Sequence, residues 1–421
     1  MTNIRFLNGL KTIGASIVEI STESSRIITD FGMAVDFKIG TSRSLMEKHV
    51  LPNVPELFGD KQEQVKEYKN EAIFITHLHL DHTSALAYLK NDIPVYLSRP
   101  SYKLYRSLVK QGLGLTLNVN FKVFDFEVPV KIGDLTVTAY QSDHDIIGAS
   151  TFLIEDGKHV FGQSGDVRLN GSHRVVVDKW MNLFKKRKLD LLMLEATSFS
   201  FDDDANLNSP NDEEIDIESK CIGDFKTILD KNDGLTVINP YSRNIERMLQ
   251  MNKLANDLNR PIVWELQYAR VIREFSLEYP IFVLDDGNLG LRGNTGLIPV
   301  SILTIMNNLN HFCLQNSFEN LDTLMNFNKF IYLHCNGAPL GEYDPHYQTL
   351  KSFLENKKIK LIDIGVSGHA TKAEICEVAR TVAAKKTVFW HSFNPDAAIS
   401  ALQNSGLHFL RPSYKETYHF D

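Results

Sequence analysis

The segment AIFITHLHLDHTSALAYLK, residues 72–90, constrains the fold of this chain more than any other stretch. AIFIT is short, apolar and rich in β-branched and aromatic residues, as a buried strand is, and SALAYLK has helical spacing. His77, His79, Asp81 and His82 therefore fall on a strand-to-helix loop. The alternate residues His77 and His79 can converge on one ion, while the adjacent pair Asp81 and His82 opens the helix and faces a second. Imidazole with carboxylate is a donor set for zinc, with manganese as the harder alternative. A polar loop that is histidine-rich by chance would not explain the order strand, donors, helix.

Four donors in one loop cannot close two coordination spheres, so more His and Asp residues are expected at later strand ends. LTVTAYQSDHDIIGAS supplies His144 after an alternating strand, and GKHVFGQSGDVRLN supplies Asp166 after another. Asp156-Gly157 reads as the hairpin turn between those two strands. KKTVFWHSFNP ends a further strand at His391. Each of these residues alone has an ordinary structural reading; their order and context together point to a metal site.

The HxHxDH run at 77–82, with Asp30 in IITDFG, His144 and Asp166, resembles the metallo-β-lactamase superfamily, an αββα sandwich with a dinuclear metal site on one edge. Later segments narrow the resemblance to the β-CASP nucleases, and within them to the ribonuclease J-like bacterial and archaeal proteins. LDLLMLEATSF carries Glu195 where that branch has its acidic motif A, GVSGHATKAEI carries His369 as motif B, and WHSFNP carries His391 as motif C. The resemblance implies two zinc ions per chain, or manganese in their place: His77, His79 and His144 on one, Asp81, His82 and His391 on the other, and Asp166 bridging. It further implies that Asp30 fixes the ligand loop by hydrogen bonds, that Asp81 orients the attacking water, and that Glu195 and His369 serve the leaving group. A histidine at motif C goes with RNA-processing members, so the implied partner is single-stranded RNA. The chain departs from ribonuclease J in reading WHSFNP instead of an HGE-type sequence and in the short stretch that follows His391.

The length of 421 residues suggests two or three domains, and 43% hydrophobic residues is ample for their cores. Strand-rich texture to about 200 gives way to alternating strands and amphipathic helices, the pattern of a parallel α/β domain. The expected arrangement is a metallo-β-lactamase domain over 1–210, an inserted α/β (β-CASP) cap over 211–385, and a return to the first domain over 386–421, with the active site in the cleft between them. Within the cap, PYSRNIER (240–247) joins a strand to a helix start, where free backbone N–H groups and an arginine fork can grip phosphate. Ser242, Arg243 and Asn244 are candidates for that task, against the plainer reading of a capped helix. Ser367, Gly368 and Thr371 around His369 are candidates for a second phosphate cradle, and His334 reads as core or rim.

A formal net charge of −7 excludes a broadly basic nucleic-acid wrapper and leaves only a local groove. The acidic stretch 201–219 reads as a solvated linker into a helix with an acid-rich first turn. Cys221, Cys313, Cys335 and Cys376 are scattered without a CxxC, which fits buried reduced thiols and excludes a zinc knuckle or a disulfide framework. The first residues lack a signal-peptide pattern and no stretch is long enough to span a bilayer, so a cytoplasmic protein without a membrane partner is expected. Exonuclease and endonuclease modes both stay open, as does assembly into a homo-oligomer. The competing readings are a hydrolase of DNA or of a small ester, and a non-catalytic scaffold for RNA or protein.

Overall fold

The computed structural model describes the chain except residues 35–39, 60–65, 91, 202–216, 286, 288–295, 343 and 415. The bulk of the acidic stretch thus lies outside the described residues. The chain forms two compact units: Met1–Tyr105, Leu115–Glu214 and Gly368–Asp421 make the first, Arg106–Gly114 and Ile215–Ser367 the second.

Two sheets build the first unit. One runs Tyr418–Phe420, Thr2–Asn8, Ile17–Ser21, Ser25–Thr29, Asn70–Phe74, Pro94–Ser98, Asn120–Phe124 in spatial order; the other runs Thr387–Trp390, Leu191–Glu195, Val160–Gln163, Ser150–Glu155, Leu135–Gln141, Pro129–Ile132. Their facing sides share one core in which Phe6, Ile20 and Phe74 of the first sheet meet Phe152, Phe161 and Met193 of the second. The central strands of the second sheet are covered on both faces, so Leu191–Glu195 and Thr387–Trp390 are buried at every residue, whereas Thr2–Asn8 of the first sheet alternates buried and half-buried positions. Helices Arg174–Arg187 and Lys372–Val382 cover the second sheet through Trp180, Phe184, Ile375 and Val378. The hairpin expected at Asp156-Gly157 joins Ser150–Glu155 to Val160–Gln163, with Asp156 Oδ1 accepting the N–H groups of Lys158 and His159 at 2.7 and 2.6 Å.

The second unit is a single parallel sheet in the order Leu297–Ser301, Ile281–Asp285, Ile262–Trp264, Cys313–Gln315, Leu235–Pro240, Phe330–Cys335, Lys360–Asp363. Helices alternate with these strands as their pattern requires. Helix Ile217–Lys231 begins where the acidic stretch ends, and its first-turn Glu218 is not solvated: it takes a two-pronged bond from buried Arg247, at 2.9 and 2.7 Å.

Two expectations need correction. The chain rejoins the first unit at Gly368, earlier than 386. Alternation of strand and helix cannot tell which core an amphipathic helix joins, and Lys372–Val382 buries its apolar face against the first unit. The helix expected after residue 82 is a single α turn, Leu80–Thr83, followed by a 3₁₀ turn, Ser84–Tyr88. Its backbone partners are drawn elsewhere: Asp81 O accepts from Ser16 N at 3.3 Å, His82 O from Phe31 N at 2.8 Å, and Ala85 N donates to Phe31 O at 3.1 Å. Those bonds replace the ladder that a regular helix would need.

Candidate metal centre

Strand ends of both sheets carry the donors. His77 follows Asn70–Phe74, Asp166 follows Val160–Gln163, Glu195 closes Leu191–Glu195, and His391 follows Thr387–Trp390. His77, His82, His144, Asp166 and His391 are all buried. Around Asp166 Oδ2 stand His82 Nε2 at 3.2 Å, His77 Nε2 at 3.6 Å, His144 Nε2 at 3.7 Å and His391 Nε2 at 3.8 Å. Among the described residues, three groups have ligand atoms within 4.8 Å of one another: His77, His79, His144 and Asp166; Asp81, His82, Asp166 and His391; and Asp166, Glu195 and His369. Asp166 belongs to all three.

Hydrogen bonds on the outer side of each imidazole fix which nitrogen keeps its lone pair. Asp30 Oδ2 takes His82 Nδ1 at 3.1 Å, leaving Nε2 inward. Asp30 also accepts the Thr76 N–H at 2.7 Å and the Thr76 hydroxyl at 2.9 Å, so that hydroxyl accepts from His77 Nδ1 at 3.0 Å. His77 Nε2 then points inward, buried and without a hydrogen-bond partner. His144 Nδ1 donates to the Gly368 carbonyl. Thr197 donates its proton to His391 O and accepts from His391 Nδ1 at 2.9 Å, so Nε2 of His391 also faces inward. His79 Nε2 lies 3.2 Å from Asp145 Oδ1, which turns its Nδ1 inward.

The inward nitrogens approach closely: His79 Nδ1 and His144 Nε2 are 3.0 Å apart, and His82 Nε2 and His391 Nε2 3.1 Å apart. Lone pairs at such a distance beside two carboxylates repel one another unless positive charge stands between them. The donor set therefore fits divalent cations of the zinc type. His391 Nε2 is also reached by the Gly14 N–H at 3.0 Å, a contact that a cation there would compete with.

The titration behaviour points the same way. Burial pushes His77 well below its ordinary range, and burial together with the charge of His79 brings His144 down to about 4. Burial also opposes a charge on His82, yet Asp166, Asp81 and Asp30 outweigh it and hold the imidazole well above its ordinary range. Asp166 is held well below the usual carboxylate range, against its burial, by His391 and His82. The pocket thus draws in positive charge, as protons or as metal.

Glu195 is buried and accepts the Val167 N–H at 3.0 Å and the Thr197 N–H at 3.1 Å. Its two oxygens also lie 3.1 and 3.2 Å from His369 Nδ1. Against the effect of burial, this carboxylate lifts His369 to about 10. Glu195 and His369 thus face each other, with His369 Nδ1 4.0 Å from Asp166 Oδ2.

The proposed phosphate contacts are dispersed. Gly368 and Thr371 belong to the first unit, while Ser242, Arg243, Asn244 and Ser367 belong to the second. The Gly368 carbonyl serves His144. Thr371 caps its helix reciprocally with Glu374, its N–H donating to Glu374 Oε2 at 2.8 Å. In the second unit Asn244 caps helix Ile245–Asp257 by accepting Arg247 N at 3.0 Å, and Arg243 is buried. His334 is core, its Nε2 donor shared between the carbonyls of Gly337 and Pro339 at 3.0 and 2.9 Å.

Sequence reasoning missed several residues that shape the site. Asp145 sits next to His144 in SDHD, yet nothing local shows that it turns toward His79. Thr76 and Thr197 are each close in sequence to a donor or to motif A, and small hydroxyls there carry no signal of their own. Gly14 and Gly32 make room for the ligand loop: a Cβ on Gly32 would stand 1.6 Å from Asp81 O, and one on Gly14 2.5 Å from Asp81 Cβ.

Facing sheets with buried His and Asp donors at their strand ends define a metallo-β-lactamase-type centre. Residues 13–189 match the family model of the Metallo-beta-lactamase superfamily. It is similar to ribonuclease J of Helicobacter pylori (strain ATCC 700392 / 26695), 23% identical over 389 residues that cover 87% of this chain and 52% of that one. It is also similar to ribonuclease J 2 of Streptococcus pyogenes serotype M3, 24% identical over 268 residues that cover 62% of this chain and 45% of the relative. The chain thus spans about half the length of these relatives. Among solved structures, a protein of unknown function from Enterococcus faecalis V583 superposes with a TM-score of 0.84 at 24% identity, over 99% of both chains, which shows the shared fold. The match and the relatives are consistent with a β-CASP, ribonuclease J-like member of the superfamily.

Proposed function

We propose that this chain hydrolyses phosphodiester bonds of single-stranded RNA at a centre of two divalent cations, zinc or manganese. The observation that carries the reading is the convergence of five imidazole lone pairs on Asp166 and Asp81, each ring oriented from behind by a hydrogen bond or a carboxylate. His77 Nε2, His79 Nδ1 and His144 Nε2 would hold one cation, Asp81, His82 Nε2 and His391 Nε2 the other, with Asp166 shared. When bound, such a pair lowers the pKa of water and neutralises charge developing on phosphate.

The remaining steps fall to the chain's own groups. Glu195 occupies His369 Nδ1 and so orients the ring, leaving Nε2 as the atom that serves the departing sugar oxygen. Asp81, on the turn tied to Ser16 and Phe31, orients the attacking water. Ser242 and Arg243 are assigned to backbone phosphates, contacts that position the strand without reading sequence. The RNA preference rests on His391 at motif C and on relatives named ribonuclease J.

The test is incubation of the zinc- or manganese-loaded protein with end-labelled RNA and DNA of matched sequence, beside a small model ester. Cleavage of RNA well ahead of DNA supports the reading. Equal cleavage of DNA, or ester hydrolysis without RNA cleavage, would replace it with one of the other hydrolase classes.

A further inference from the structure

We propose that Phe201 and Phe393 form a stacking face for unpaired bases of the substrate at the rim of the metal centre. The inference rests on the ribonuclease reading and adds the residues that would grip the bases. Phe201 is 58% exposed and Phe393 57%, in a unit whose other phenylalanines near the centre, such as Phe31 and Phe199, are buried. A single exposed apolar side chain is ordinary. Here two large rings leave two adjoining loops, both of which carry residues of the centre.

The 3₁₀ turn Thr197–Ser200 follows the strand that ends at Glu195 and delivers Phe201, while Phe393 comes two residues after His391. The loops are stitched together. Ser200 Oγ and Ser392 Oγ are 3.0 Å apart, and Ser200 Oγ accepts the Phe393 N–H at 2.9 Å. Thr197 holds His391 by the bond already described. On the motif B side, Lys372 Nζ donates to the Phe201 carbonyl at 3.0 Å, tying that residue to the helix that starts just after His369.

The backbone under both rings is therefore pinned to the elements that carry Glu195, His369 and His391. Backbone pinned in this way is already ordered for a flat partner, so little main-chain entropy is lost when the rings meet one. The partner that combines flat apolar faces with a phosphodiester is a single-stranded nucleic acid, whose bases stack on aromatic side chains with little regard to sequence. The departure at motif C, WHSFNP, is what supplies Phe393.

The experiment compares the wild type with F201A, F393A and the double variant on a single-stranded RNA oligonucleotide and on the same backbone carrying abasic sites. KM and kcat are read together with fluorescence-anisotropy binding to metal-free protein. Each substitution is expected to raise KM and weaken binding of the intact oligonucleotide by about tenfold, more than it lowers kcat, with little effect on the abasic strand. Tyrosine in place of either phenylalanine should restore binding, since the ring and not the residue is needed. If both alanine variants bind intact RNA like the wild type while still cutting it, the stacking face is overturned and the ribonuclease reading stands. Loss of self-association in sedimentation, with RNA binding unchanged, would give the rings to a second copy of the chain and overturn the proposal equally. If the wild type neither binds nor cuts RNA, the ribonuclease reading itself fails and the stacking face with it.

Discussion

At the scale of single residues, the candidate centre separates groups that would hold metal from groups that would act on the substrate. Glu195 and His369 form one ion pair beside the donor cluster, and Asp166 belongs to both sets. Glu195→Gln and His369→Ala should therefore retain metal while losing cleavage by about 10²–10⁴-fold, the usual reach of a positioned acid or base. Near-wild-type turnover in both variants would make the pair structural. Asp145 makes the opposite case, since its carboxylate stands beside two of the donors, 3.2 Å from His79 Nε2 and 3.4 Å from His144 Nε2. Asp145→Asn should weaken metal binding by roughly 10–100-fold, as loss of an orienting carboxylate behind a ligand does. Calorimetric titration giving wild-type affinity would remove Asp145 from that role. The clustering of the candidate donors was legible in sequence because metal chemistry would demand particular side chains at strand ends, and HLHLDH, His144, Asp166 and His391 fit that demand locally. Asp145, Thr76 and Thr197 were not, because their value lies in what they touch across the fold and not in their type.

At the scale of elements, the ligand turn shows why local pattern is not enough. SALAYLK has helical spacing, but Ser16 and Phe31 capture the backbone of residues 81 to 85, and the result is an α turn followed by a 3₁₀ turn. Those captures aim Asp81 and His82 together, and they need glycine at position 32, where a side chain would meet the Asp81 carbonyl. Gly32→Ala should force the turn outward, costing on the order of 1–3 kcal/mol by overpacking and lowering metal occupancy in the Asp81–His82–His391 set more than in the other. Elemental analysis and a thermal midpoint both equal to wild type would show that the turn tolerates the displacement. Helix Lys372–Val382 teaches a similar lesson: its amphipathic pattern was plain, but its membership of the first unit depended on Ile375 and Val378 meeting Trp180 and Phe184, a contact between distant segments.

At the scale of the whole chain, the parallel α/β unit could be read from short apolar strands alternating with amphipathic helices, whereas the sandwich was implied by the resemblance carried by the HxHxDH run and the later motifs. The boundary at Gly368 could not be read, because it depends on which core a helix joins. The net charge of −7 leaves few cations for phosphate, so affinity for RNA should rely on the metal centre and on stacking and should fall only shallowly with salt. Among the described residues no helix is long and apolar enough to cross a membrane. Because folded protein alone presents the assembled donors, bound metal should also raise the thermal midpoint. The most direct measurement is RNA cleavage by metal-free protein titrated with zinc or manganese. No cleavage is expected without metal, and activity should rise and level off at two equivalents per chain. A plateau at one equivalent, or full cleavage in the presence of a strong chelator, would contradict a centre in which Asp166 is shared between two cations.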